Sequence, residues 1–277
     1  MQKFLEYWPL ILSLILFVTS VGIFLHWNNT ALQVTKYTVS SSRIPESFAG
    51  FRIVQISDLH NTAFGKDNCR LLADIRALSP DIIVITGDIV HASPKEKALQ
   101  FARQAVELAP TYYVSGNHEH RMDYETLFAQ LTEIGVTVLR NRSVSLEKNG
   151  EMIRLAGIED PLFYPDETVE EKISPIMHGD AYTILLSHRP ELFDSYVQCG
   201  VDLAFTGHAH GGQFRLPLIG GLYVPNQGLF PKYDAGLFTS GRTNMIISRG
   251  LGNSSFPFRL FNRPEIVAVT LISNAFS

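Results

Sequence analysis

The 277-residue chain reads as an α/β protein, a layered sheet structure flanked by helices and preceded by one N-terminal transmembrane helix. Three observations predict this. Apolar runs of strand character recur along the chain, the stretches between them carry apolar residues at helical spacing, and a long uncharged apolar run lies near Met1. Hydrophobic residues make up 45% and charged residues 18%, which excludes disorder of the whole chain. With 23 Lys+Arg against 27 Asp+Glu, the formal net charge is −4, so there is no basic footprint and no nucleic acid is expected as a partner. Two cysteines, Cys69 and Cys199, cannot supply a C-x-x-C zinc site or a disulfide framework.

The apolar run comes first. Residues 8–27 read WPLILSLILFVTSVGIFLHW, and 9–25 contain no ionisable group. That is the short end of what spans a bilayer, and Trp8 and Trp27 suit the two interfaces. A cleaved signal peptide competes with this reading, but the following HWNNTALQVTK offers no A-x-A cleavage site. A buried core helix is the other alternative, against which the run is apolar all round, without a polar stripe. Residues 1–27 are therefore expected to be a single-pass anchor in the cell membrane, 28–50 a linker and 51–277 the catalytic domain. Lys3 lies before the run and Lys36 and Arg43 after it, so charge barely sets orientation; the usual single-anchor arrangement puts the domain outside the cytoplasm.

The domain opens with a strand, FRIVQISDL (51–59), followed by a helical pattern over 67–78 and a wholly apolar strand, DIIVITGDIV (81–90). Pro94 suits the start of an amphipathic helix over 95–108. A strand over 111–117 and a helix over 124–134 complete a β-α-β-α-β series, which predicts parallel strands with helices on both faces. Residues 136–158 look like a hairpin turning at Asn149-Gly150. Two buried strands follow, 182–188 and 201–208, with a helix over 191–197 between them. The last third carries strand and turn signals in GLYVPNQG, TNMIISRG and EIVAVTLI.

The chemistry sits where these strands stop. Asp58-x-His60 ends the first, Gly87-Asp88 the second, Gly116-Asn117-His118-Glu119 the third, His188 the fourth and Gly207-His208-Ala209-His210 the fifth. Ligands gather beyond the carboxyl ends of strands in open α/β sheets, so these residues should converge. A single such histidine would be an ordinary structural one; five of the chain's nine, with two Asp and one Asn, are not. Imidazole, carboxylate and amide oxygen without thiolate suit Mn, Zn or Fe. Asp58, His60, Asp88, Asn117, His188, His208 and His210 are too many for one tetrahedral ion and about right for two divalent ions sharing a bridge.

This ordered set, D-x-H, G-D, G-N-H-E, H and G-H-x-H, resembles the calcineurin-like metallophosphoesterases. The apolar N-terminus, GHAHGGQ (207–213) and SRGLGNSSFPFR…RPEI (248–266) resemble their membrane-associated YkuE/YaeI-like branch. The resemblance implies a β-sandwich flanked by helices. It implies Asp58, His60 and His210 as ligands of one metal, Asn117, His188 and His208 of the other, and Asp88 as the bridge. His118 matches the catalytic histidine beside the leaving-group oxygen, and Glu119 would orient His118. Relatives in the broader group include UDP-2,3-diacylglucosamine hydrolases, though one such branch has Arg where His118 stands here.

The expected activity is hydrolysis of a phosphodiester or pyrophosphate by in-line attack of a metal-bridging hydroxide on phosphorus. The anchor favours a lipid or envelope precursor, such as a UDP-2,3-diacylglucosamine-like substrate. The alternatives are a phosphodiesterase or phosphatase for a soluble substrate, or a non-catalytic membrane-tethered binding module. Asn61 reads as a turn residue, His120, Arg121 and Arg189 as either substrate contacts or local structure, and His91 is set aside. The run FPFRLFNR (256–263) is expected to pack onto the sheet rather than meet lipid.

Overall fold

Alternation along the central strands sets the layers. On β3 (Ile82–Thr86), Ile83 and Ile85 belong to one apolar cluster, Ile82 and Val84 to another. The first cluster lies under helices α2 (Cys69–Leu78), α3 (Glu96–Val106) and α4 (Tyr124–Ile134), through Leu71, Ile75, Phe101 and Leu127. The second joins two sheets, bringing Ile53 and Val84 to Ile184, Leu203 and Phe205. A third lies under α5 (Val169–Ile173) and α6 (Phe193–Gln198), around Ile173, Phe193 and Tyr196. The order is helices, sheet, sheet, helices. Each sheet thus has helices on one face only, unlike the single sheet that the β-α-β series suggests, because its other face is covered by the second sheet.

The computed structural model describes residues 2–91, 95–253 and 256–274, with the side chains of 2–6 left aside. Pro94, expected at a helix start, lies outside the described residues. Among the described residues, the first sheet runs β1 (Gln33–Ser41), β16 (Glu265–Ser273), β2 (Arg52–Ile56), β3, β4 (Thr111–Val114), β5 (Thr137–Val138). The second runs β14 (Gly236–Ser240), β15 (Thr243–Ile247), β9 (Leu203–Thr206), β8 (Thr183–Leu186), β7 (Glu151–Gly157), β6 (Arg142–Lys148). Two small hairpins, β10 (Arg215–Leu216) with β11 (Gly220–Gly221) and β12 (Tyr223–Val224) with β13 (Gly228–Leu229), follow β9. Asn149 and Gly150, with φ of 52° and 83°, form the expected tight turn between β6 and β7.

Before the sandwich stands α1 (Gln2–Thr30), whose stretch Tyr7–Thr30 has a mean hydropathy of 2.3 and an unburied most apolar window. It is long and apolar enough to cross a membrane. Within 28–50, expected as a linker, nine residues form β1, paired in parallel with β16 from Gln33↔Glu265 to Ser41↔Ser273. Only Val39 of β1 is buried, so the segment's sequence reads as polar and strandless although its backbone is fully paired on one side.

The strand ends are locked together. Buried Gln55 Nε2 donates to Thr86 Oγ1 (2.9 Å) in its own sheet and to the Thr206 carbonyl (2.8 Å) in the other. Phe205→Ala empties the seam between sheets and should destabilise by about 3–5 kcal/mol, while exposed Leu237→Ala should stay within about 0.5 kcal/mol. Denaturant unfolding of both variants checks the difference.

Candidate metal centre

At the ends of β2, β3 and β9 the backbone turns through the left-handed region. Asp58, His60, Asp88, His208 and His210 all have φ between 47° and 64°. Non-glycine residues there cost about 1–3 kcal/mol each and collect at functional sites, where surrounding bonds impose them. Here Asp58 N donates to the Gly87 carbonyl (3.1 Å) and His60 N to the Asp88 carbonyl (3.0 Å), so the first two loops fix each other. Gly207 is demanded by space: a Cβ there would sit 1.9 Å from Ser57 Oγ and 2.5 Å from Asp58 Oδ2.

The seven residues expected as ligands are each no more than 7% exposed, and Asn117 lines one cleft with Asp88, His208 and His210. Donor atoms of Asp58, His60, Asp88 and His210 lie within 4.8 Å of one another, as do those of Asp88, His188 and His208, and Asp88 is common to both groups. His60 Nε2 faces His210 Nε2 at 3.1 Å, His210 Nε2 stands 3.3 Å from Asp58 Oδ1, and His188 Nε2 is 3.4 Å from Asp88 Oδ2. Asn117 Oδ1 and His188 Nε2 are buried without a hydrogen-bond partner. Buried polar atoms of this kind are costly unless something else meets them.

Electrostatics tell the same story. Burial opposes ionisation of Asp58, yet His210 and His188 hold its carboxyl below the usual range. Asp88 is likewise held low against burial, chiefly by His188 and His60. Burial pulls His60 down to about 3 and His208 well below its ordinary value. His188 goes the other way: Asp88 outweighs burial and pushes it up to about 10. Asp88 thus favours positive charge at His188.

The supporting residues differ in part from expectation. Glu119 does not hold the His118 ring. Its buried carboxylate accepts from the backbone N–H groups of Asp88 (3.0 Å), Ile89 (2.9 Å) and Gly116 (2.7 Å), clamping the β3 and β4 loops together. Burial and then Asp88 push its carboxyl up to about 7. His118 is oriented instead by the His91 carbonyl, 3.1 Å from Nδ1, so Nδ1 carries the proton and Nε2 faces Asp88 Oδ2 at 3.9 Å. The His91 ring lies tilted beside His118 (4.8 Å) and edge-on to His60 (5.4 Å); its place in the loop after Asp88 was the available signal.

Arg189 is buried in an ion pair with Asp160 (2.5 Å) and donates to His208 Nε2 (3.0 Å). Arg259, which the motif reading missed, is also buried and donates to the carbonyls of Arg249 (2.9 Å) and Gly252 (2.5 Å), with Nη2 3.4 Å from His210 Nδ1. Asn61, at φ 57°, is a turn residue, and His120 packs edge-on against Phe163. The run 256–263 divides: Arg259 and Asn262 are buried, whereas Phe256, Phe258 and Phe261 remain 39–52% exposed. A cleft of about 810 Å³ includes Asp88, Asn117, His208 and His210 in its lining, together with His91, His118 and Arg121 and the apolar Phe214, Leu222 and Phe256.

A helix-flanked double sheet with a buried imidazole–carboxylate cluster at its strand ends is the architecture of a metal-dependent phosphoester hydrolase. The calcineurin-like phosphoesterase model matches residues 51–212, and the chain belongs to that family of enzymes. It is 32% identical over 250 residues to the metallophosphoesterase YkuE of Bacillus subtilis (strain 168), covering 87% of this chain and 86% of that one. Phosphodiesterase YaeI of Escherichia coli (strain K12) is 29% identical over 237 residues, covering 82% and 84%. A Danio rerio protein named transmembrane protein with metallophosphoesterase domain is 29% identical over 256 residues, covering 86% of this chain and 57% of its own.

Glu119→Ala strands at least three buried N–H groups and should cost about 3 kcal/mol or more, measurable by denaturant unfolding. Gly207→Ala should lower stability by a comparable amount, about 2–4 kcal/mol, by forcing Ser57 and Asp58 apart.

Proposed function

We propose that the chain is a membrane-anchored, dinuclear-metal phosphodiesterase. In this reading Asp58, His60 and His210 would hold one divalent cation and Asn117, His188 and His208 a second, with Asp88 able to serve both. The observation that carries it is the pair of buried donor groups meeting at Asp88, together with the unpartnered Asn117 Oδ1 and His188 Nε2. Oxygen and imidazole donors without thiolate suit Mn, Zn or Fe. Bound cations would neutralise phosphate oxygens and supply an acidified water as nucleophile.

The chain's own residues do the rest. His188 donates from Nδ1 to the Thr86 carbonyl (2.7 Å), which turns Nε2 toward the cluster. His118, held by the His91 carbonyl, lines the cleft, where its Nε2 would serve as general acid toward the leaving-group oxygen. Arg121, which also lines the cleft, offers positive charge to a second phosphate substituent. Helix α1 (Gln2–Thr30) supplies the anchor, and the domain lies outside the cytoplasm. A lipid-linked or envelope-precursor phosphodiester or pyrophosphate is the favoured substrate, supported by the anchor and the apolar wall of Phe214, Leu222 and Phe256. The name of the Escherichia coli relative supports diester cleavage, and that of the Danio rerio relative supports the anchor.

Full-length protein in detergent should hydrolyse bis-p-nitrophenyl phosphate in the presence of Mn²⁺ and cease with EDTA. Asp88→Ala should lose both activity and bound metal, read by elemental analysis. His118→Ala should keep its metal while kcat falls about 10²–10⁴-fold. Turnover that survives EDTA, or equal metal loss in both variants, would overturn the assignment.

A further inference from the structure

The topology decides which end of the sandwich α1 reaches. Strand β1 begins at Gln33 opposite Glu265, the first residue of β16, and Gln33 N donates to the Pro264 carbonyl (2.8 Å). Strand β16 runs antiparallel to β2, with Val267 opposite Gln55. The start of β1 therefore lies level with the end of β2, where Asp58 and His60 stand. The apolar helix meets the domain at its metal-cluster end.

The loop 256–263 then climbs the helix. Phe261 packs against Phe24 (5.2 Å between rings), and the Arg263 guanidinium lies over Trp27 (4.6 Å) while bonding the carbonyls of Ala31 and Leu32. Asn29 Oδ1 accepts from Asn253 Nδ2 (2.8 Å) and from Arg259 N (3.2 Å). Phe24 precedes the helix end at Thr30 by six residues, about 9 Å along the axis, so Phe261 sits beside the apolar run rather than beyond it. The β10–β11 hairpin is tied to the same loop by Arg215 N to the Leu260 carbonyl (2.9 Å). Its tip carries Leu218, fully exposed, and Ile219, 63% exposed.

We propose that Phe258, Phe261 and the Leu218–Ile219 tip form a second membrane contact, seated in the interface of the bilayer leaflet from which α1 emerges. The occupant is the lipid surface itself. Apolar rings and aliphatic tips enter the acyl boundary, and Arg263 stays at headgroup level. The cleft above the cluster, whose Phe214 wall packs on Phe256 (5.2 Å) and Phe258 (5.4 Å), then opens along the bilayer surface. This rests on the reading of α1 as a membrane span.

The test uses the full chain with Cys69→Ser and Cys199→Ser, reconstituted in phosphatidylethanolamine–phosphatidylglycerol vesicles. A fluorophore is attached singly through Ile15→Cys, Leu218→Cys, Phe261→Cys or Glu107→Cys, the last just past the end of α3, on the way to the opposite end of β4. Lipids spin-labelled near the headgroup should quench the Leu218 and Phe261 positions about threefold or more above Glu107. Deep-labelled lipids should quench Ile15. Ile15 quenched, with Leu218 and Phe261 no different from Glu107, overturns the second contact and leaves the anchor standing. An unquenched Ile15 overturns both. Energy transfer between copies labelled at Leu218, without lipid quenching, assigns the face to a second copy and equally overturns the proposal.

Discussion

Two buried carboxylates set the terms for the rest of the structure. Asp58 and Asp88 stand in a region from which water is excluded, and an ion there must be met by opposite charge or by directed donors. The loops supply both. Asp58 takes the hydroxyl of Ser57 (2.6 Å) and the His208 amide (3.2 Å), while Asp88 takes the His118 amide (2.8 Å) and has three imidazoles around it. To deliver those groups, five side chains accept left-handed backbone at strand ends, and the Glu119 clamp and Gln55 bridge keep the loops in place. Fold and site are therefore one problem: the sheets must be stiff enough to hold an arrangement that the loops alone would relax.

Much of this was legible because the signals are local. An apolar run followed at once by a metal-binding side chain marks both a buried strand and the end that faces a ligand, and Asp58, His60, Asp88, His188 and His208 all announce themselves that way. The pairing of sheet with sheet was less legible, since Ile82 and Val84 look the same whether a helix or a second sheet covers them. Strand β1 was invisible for the opposite reason: an edge strand with a single buried side chain has no alternation to read.

The residues that hold the ligands were harder still. Glu119 sits next to His118 in sequence, which invites a direct pairing, yet its carboxylate turns to the amides of a loop some 30 residues earlier. His91 acts on His118 through a main-chain carbonyl, a contact that no side-chain motif encodes. Arg259 reaches His210 across 49 residues, its charge hidden in a run whose phenylalanines point away from it. Such partners are chosen by three-dimensional proximity, and spacing along the chain carries no trace of them.

The parallel ladder between β1 and β16 also governs how the protein can be shortened. Removing only the helix, up to about Ala31, leaves that ladder intact. Removing everything before Phe51 strips a nine-residue neighbour from β16 and bares a strand whose Val267, Val269 and Leu271 already fill the seam between the sheets. Its unpaired amides and carbonyls would then offer a long template to any other chain, which is the geometry of edge-to-edge aggregation. The boundary suggested by the family match at residue 51 and the boundary of the self-sufficient sheet are thus different places, and solubility depends on respecting the second.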